Sequence, residues 1–179
     1  MLRLDVPELE FYDEKKGEFI YLKPLTLSLE HSLVSISKWE SIYHRPFLGK
    51  DEKTTDETLE YIRCMTITQN VDPKVYRALT PELMRQLTDY ITNPMSATTF
   101  SNHNTKPDRE VVTSELIYYW MTAYQIPFEC EKWNIHRLMN LIKICSIKNA
   151  PPKKMSKSEI LARNQSLNAA RRAALGTKG

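Results

Sequence analysis

Glycine is nearly missing from this chain: four positions hold it, Gly17, Gly49, Gly176 and Gly179. No two are spaced as GxGxxG or GxxxxGK requires, so no loop can bring its backbone close around a phosphate. Long apolar runs are missing too, and nothing approaches the roughly 20 residues that span a bilayer. The opening stretch, MLRLDVPELEFYDEKK, is interrupted by acids where a secretory leader needs an apolar region. Cysteine occurs three times, at Cys64, Cys130 and Cys145, an odd count without framework spacing. Reduced thiols are expected, and with them a protein that stays in the cytosol where it is made.

Catalytic signatures are equally scarce. There is no GxSxG elbow, and His31, His44, His103 and His136 fall into no partner pattern. Cys130, His136 and Cys145 stand six and nine residues apart, outside the Cys-x2–4-Cys and His-x3–5-His pairs of structural zinc sites. The acids of Glu129/Glu131 and Asp56/Glu57/Glu60 sit at expected helix starts, where carboxylates stabilise the positive dipole end. The expectation is a non-enzymatic protein with no catalytic residue, no metal and no cofactor.

What is present is an ordinary core and an uneven charge. With 41% of residues hydrophobic, the chain can bury one domain and carry an appendage. The net charge of +3 conceals a division. From Lys143 onward nine Lys/Arg face one acid, Glu159, for +8; the remainder holds 16 bases against 21 acids, for −5.

The order of elements follows from local pattern. In LEFYDEKKGEFIYLKPL two aromatic-rich runs flank a polar turn with Gly17 suited to a left-handed position, which predicts a β-hairpin within about residues 1–27. A lone hairpin is marginal, so it must pack on something. Leu29, Leu33, Ile36, Trp39/Glu40 and Tyr43 predict a helix over 28–44, ended by Pro46. Thr54 with Glu57 is a capping box, and Leu59, Ile62 and Met65 continue an apolar stripe. Thr80 and Pro81 open a helix that buries Leu83, Leu87 and Ile91, with Met84 beside them. Residues 93–110 are expected to be a loop, with a short strand at 97–101. A helix from Ser114 to Pro127 and another over CEKWNIHRLMNLIKICSI, with Trp133, Leu138, Leu141, Ile142 and Cys145 inward, are expected to form the core. Trp39, Trp120 and Trp133 all fall on apolar stripes and are expected inside. KNAPPKK is a linker. Ser156 and Glu159 then form a second capping box for a helix through Leu175, stopped by Gly176. Ile160, Leu167 and Ala174 lie along one face of it. The fold class is mainly α (α+β): a helical domain over 1–149 with an N-terminal β-hairpin, then 150–179 as a Pro-containing linker and a basic C-terminal amphipathic helix.

Residues 154–158 spell KMSKS, the ATP-site signature of class I aminoacyl-tRNA synthetases. That motif needs a preceding HIGH-like signature and alternating strand–helix units, and the chain has neither. The stretch is instead the end of a linker and a helix cap.

The basic arm is the candidate interaction element. Ile160, Leu167, Arg163, Arg171, Arg172, Lys153 and Lys154 are the residues expected to touch a partner. An apolar stripe suits a groove on a protein partner or on the chain's own body, the remaining reading being a solvated tail. Nucleic acid fits less well, because the arm has no aromatic for base stacking and the body is acidic. A membrane surface has no support beyond the basic charge.

Three stretches carry a resemblance: LEHSLVSISKWESIYHRPFLGKDEKTTDETLEYIRCM, then NVDP, then ELIYYWMTAYQIPFECEKWNIHRLMNLIKICSIKNAPPKKMSKSEILARNQSLNAARRAALGTKG. From about residue 25 to the C-terminus the chain resembles a family of tailed-bacteriophage proteins encoded in the tail module and labelled tail assembly chaperones. The resemblance implies a non-enzymatic protein of the host cytoplasm. It would bind the tape measure protein, or other tail proteins, during tail morphogenesis, and it would be multivalent, with further copies of itself (a homo-oligomer) among the candidate partners. No site residue comes from the family. The competing expectations are a small structural virion protein of the tail or head-tail connector, and a nucleic-acid-binding accessory protein acting through the arm.

Overall fold

A computed structural model describes residues 1–13, 17–98, 100, 111–151 and 156–176. The fold is mainly α with a small antiparallel β element, and the chain divides into Met1–Ser146 and Ile147–Gly179.

The expected hairpin is present and longer than its aromatic runs. Strands β1 (Leu2–Val6), β2 (Leu9–Asp13), β3 (Glu18–Leu22) and β4 (Leu25–Leu29) pair as β1 with β4 and β2 with β3. Both ladders keep one register: Leu2 opposes Leu29, Val6 opposes Leu25, and Leu9 opposes Leu22. Continuing that register through the gap sets Pro7 against Pro24. Neither can donate a backbone hydrogen bond, which explains why one ribbon splits into two ladders. Gly17 takes φ +67° at the turn, as its lack of a Cβ allows.

The proline step also changes which face is buried. Leu4 and Val6, with Leu27 and Leu29, are buried in the proximal half. Unbroken alternation would place Glu10, Tyr12, Phe19 and Tyr21 on that same side. In the distal half the buried residues are instead Ile20 and Leu22, on the opposite face.

The helices are α1 (Leu33–Tyr43), α2 (Thr55–Met65), α3 (Lys74–Arg77), α4 (Pro81–Thr92), α5 (Ser114–Ala123), α6 (Ile135–Asn149) and α7 (Lys157–Leu175). Thr54 and Glu57 close the expected capping box at α2, and Thr80 caps α4 with Pro81 in its first turn. The core gathers Leu4, Leu27, Leu29, Leu33, Ile36, Ile62, Met65, Leu87, Ile117, Met121, Ile135 and Leu138 around Trp39, which is fully enclosed. Trp39 donates its indole N–H to the Glu57 carbonyl at 3.0 Å. Phe47 stands edge-on to Trp39 and stacks on Tyr61 with ring centroids 3.9 Å apart. Pairs of this kind contribute about 0.5–1.5 kcal/mol beyond area burial.

Several local expectations are corrected. The first helix starts at Leu33, because Leu29 belongs to β4 and Ser32 caps the helix with Ser35 as reciprocal partner. It ends where His44 turns left-handed and bonds back to the Glu40 carbonyl, before Pro46. The single helix expected over Cys130–Ile147 is two pieces: a 3-10 turn at Phe128–Lys132, then α6. Trp133 falls in the break and is 39% exposed rather than inward; Trp120 is partly buried and packs against the core. In α4, Leu83 and Leu87 are buried as expected, but Tyr90 is enclosed while Ile91 and Met84 are only partly so. Residues 97, 98 and 100 form no strand; 99 and 101 lie outside the described residues. No described helix is long and apolar enough to cross a membrane.

Candidate functional site

Helix α7 is built from its own sequence. Ser156 accepts a hydrogen bond from the Glu159 amide at 3.2 Å, and the Glu159 carboxylate accepts from the Ser156 amide at 2.7 Å. The KMSKS serine is therefore occupied as a cap. Five alanines with Leu, Arg, Gln and Glu supply strong intrinsic helix preference, and Gly176 closes the helix at φ +62°. No residue of α7 is buried; Ile160 and Leu167 are each 45% exposed. At about 100° per residue, Ile160, Leu167 and Ala174 share a narrow sector, with Arg171 and Arg163 flanking it on opposite sides, each about 20° beyond its edge. Arg172 points about 120° from Ile160 on the same count. Of the expected contact residues, α7 thus groups Ile160, Arg163, Leu167 and Arg171 and sets Arg172 apart. Lys153 and Lys154 lie outside the described residues.

A second surface escaped the sequence reading. On the distal hairpin, Tyr12, Phe19 and Tyr21 are 52%, 60% and 67% exposed. Tyr12 directly opposes Phe19, with ring centroids 5.1 Å apart, and Glu10 opposes Tyr21. Period-two alternation puts all four on one face. A hydrogen bond to Glu10 raises the Tyr21 phenol above its ordinary pKa. The clue available in sequence was that Glu10, Tyr12, Phe19 and Tyr21 alternate with Leu9, Phe11, Ile20 and Leu22, so both faces are apolar enough to pack; in the structure Ile20 and Leu22 are buried while Tyr12, Phe19 and Tyr21 are exposed.

The buried polar groups form a brace. His31 and Tyr61 are enclosed and share a hydrogen bond through His31 Nδ1. The His136 ring lies 5.5 Å from His31 and donates Nε2–H to the Ile91 carbonyl at 2.8 Å. Burial, reinforced by His136, lowers the His31 pKa to about 4, so its imidazole is neutral at physiological pH. Burial likewise raises Tyr61 well above the phenol range and the Cys64 thiol to about 11, leaving Cys64 a poor nucleophile. Tyr90 donates to Glu30, which also holds the Met1 ammonium at 2.7 Å. The Glu40 carboxylate is buried and accepts two backbone N–H groups at 2.8 Å, one from Phe47 and one from Ser114 at the start of α5. These bonds tie the hairpin base to α2 and α4, α4 to α6, and α1 to α5.

The clefts differ in lining: beside α5 and α6 one is formed by Trp120, Tyr124, Met139 and Ile142 with Lys143 as its charged residue, and the others are more charged. One of about 450 Å³ lies beside α2 and α3, lined by Tyr43, Asp56, Glu60, Arg63, Lys74 and Tyr76. Arg63 and Glu60 pair there at 2.8 Å. Among the described residues no three His, Cys, Asp or Glu side chains converge to hold a metal. The arrangement offers two exposed surfaces, a basic helix and an aromatic strand face. Comparison with known proteins finds no matching family model, curated relative or solved structure.

Proposed function

We propose that this chain is a non-enzymatic assembly factor for bacteriophage tails, a tail assembly chaperone that binds the tape measure protein or tail subunits in the host cytoplasm. The observation that carries the reading is α7: a capped, basic, 19-residue helix without one buried residue, following a proline-containing segment. A helix of that kind suits an elongated helical client, because exposed Ile160 and Leu167 can enter an apolar groove while Arg163 and Arg171 meet carboxylates at its rim. The resemblance of residues from about 25 onward to tail-module proteins supplies the client class.

The test pairs mass spectrometry of purified phage particles with a lysate pull-down that uses this chain as bait. Tape measure protein in the pull-down, with this chain missing from the particle, is the expected result. Stoichiometric presence in the particle would overturn it in favour of a structural tail or connector subunit.

A further inference from the structure

The two exposed surfaces complement one another. The distal hairpin offers flat aromatic rings beside Glu10, and residues 8–22 carry five acids against two bases. Helix α7 has no aromatic and a single acid, but it offers arginines beside Ile160 and Leu167. Guanidinium groups stack on aromatic faces and pair with carboxylates at the same time. The same division runs through the whole chain: residues 1–146 hold 17 bases against 21 acids, and residues 147–179 hold 8 against 1. Size agrees as well. A 19-residue helix is about 28 Å long, and a five-residue strand pair is about 17 Å, so the helix can cover the whole aromatic face. Anionic lipid and nucleic acid are poorer occupants of that face, since Glu10 on it and the acid excess of residues 8–22 repel both.

We propose that α7 of one copy docks on the Tyr12–Phe19–Tyr21 face of a second copy, with Arg171 over the aromatic rings and Leu167 packed beside it. Each copy carries one arm and one receiving face, so the contact is heterologous. Copies join head to tail into rings or open chains without any other component. Leu167 and Arg171 are also the residues assigned to the client above, so self-association and client binding are alternative uses of α7.

The test uses the full chain and two double variants: Phe19→Ser with Tyr21→Ser on the face, and Leu167→Ser with Arg171→Glu on the arm. All four positions are exposed, so both variants should keep the wild-type circular dichroism and thermal midpoint. Sedimentation velocity across a wide concentration range should show wild-type mass rising roughly twofold or more, while each variant alone stays monomeric. An equimolar mixture of the two variants should form a heterodimer, because the face variant still donates an arm and the arm variant still offers a face. Three outcomes would overturn the proposal: a wild type that is monomeric throughout, association that survives either variant, or a mixture that fails to associate. A negative result here leaves the client pull-down unaffected, so the two ideas fail separately.

Discussion

Helices α2 and α7 begin with the same device and end in opposite environments. Thr54 and Glu57 exchange hydrogen bonds at 3.3 and 2.7 Å; Ser156 and Glu159 do so at 3.2 and 2.7 Å. Yet α2 buries Tyr61, Ile62 and Met65, whereas α7 buries nothing. A capping box fixes where a helix starts and is silent on whether it joins a core. Burial depends on residues that the rest of the chain brings to it. In α2 these include Trp39, held to the Glu57 carbonyl, and Phe47, stacked on Tyr61. Helix α7 must stand on alanine content, its cap and its glycine stop.

That contrast can be broken most forcefully at Trp39. Trp39→Ala should lower unfolding free energy by about 3–5 kcal/mol in denaturant titrations, while Leu167→Ala should leave it within about 0.5 kcal/mol. An equal effect from both would mean that α7 is part of the cooperative core. Next comes Glu40. Removing its carboxylate leaves the Phe47 and Ser114 amides without their acceptor, and Glu40→Ala should cost about 2–4 kcal/mol. Glu40→Gln keeps one acceptor oxygen and should cost less; equal losses would show that the amides are satisfied elsewhere.

Acid should separate the two regions as well. His31 is neutral in the folded protein down to about pH 4, while the unfolded chain takes up that proton near 6.5. Stability is therefore complete above about pH 6.5 and falls as pH drops toward 4, by roughly 2–3 kcal/mol. Thermal midpoints measured across that window should decline in the wild type and much less in His31→Phe. A wild-type midpoint that holds flat from 6.5 to 4 would refute the assignment. The smallest difference sharpens the comparison of caps. Thr54→Ala should cost about 1 kcal/mol of global stability. Ser156→Ala should leave global unfolding unchanged and reduce only helical circular dichroism.

What was legible in the sequence was local. The caps at Thr54, Thr80 and Ser156, the turn at Gly17 and the stop at Gly176 each depend on residues within one turn, and each stands as read. The errors lie where distant residues decide. Leu29 fits a helical stripe and a strand equally well; pairing with Leu2 settles it. Tyr90 is drawn inward by Glu30, 60 positions away, so its hydroxyl outweighs the more apolar Ile91 beside it. Trp133 lost its place in a helix because Trp133 and Asn134 extend between the 3-10 turn and α6, where Asn134 bridges to Ser32. For the candidate site, the arm's residues could be named from spacing and charge. The aromatic face could not, because its exposure depends on a change of buried side at the two prolines.

Those prolines have another consequence. A two-stranded ribbon has two free edges, and long free edges invite strands from other chains to add. Pro7 and Pro24 interrupt the ribbon at one level, so each free edge is cut into segments of five residues on either side. The aromatic hairpin is thereby kept without offering an uninterrupted template for cross-β aggregation.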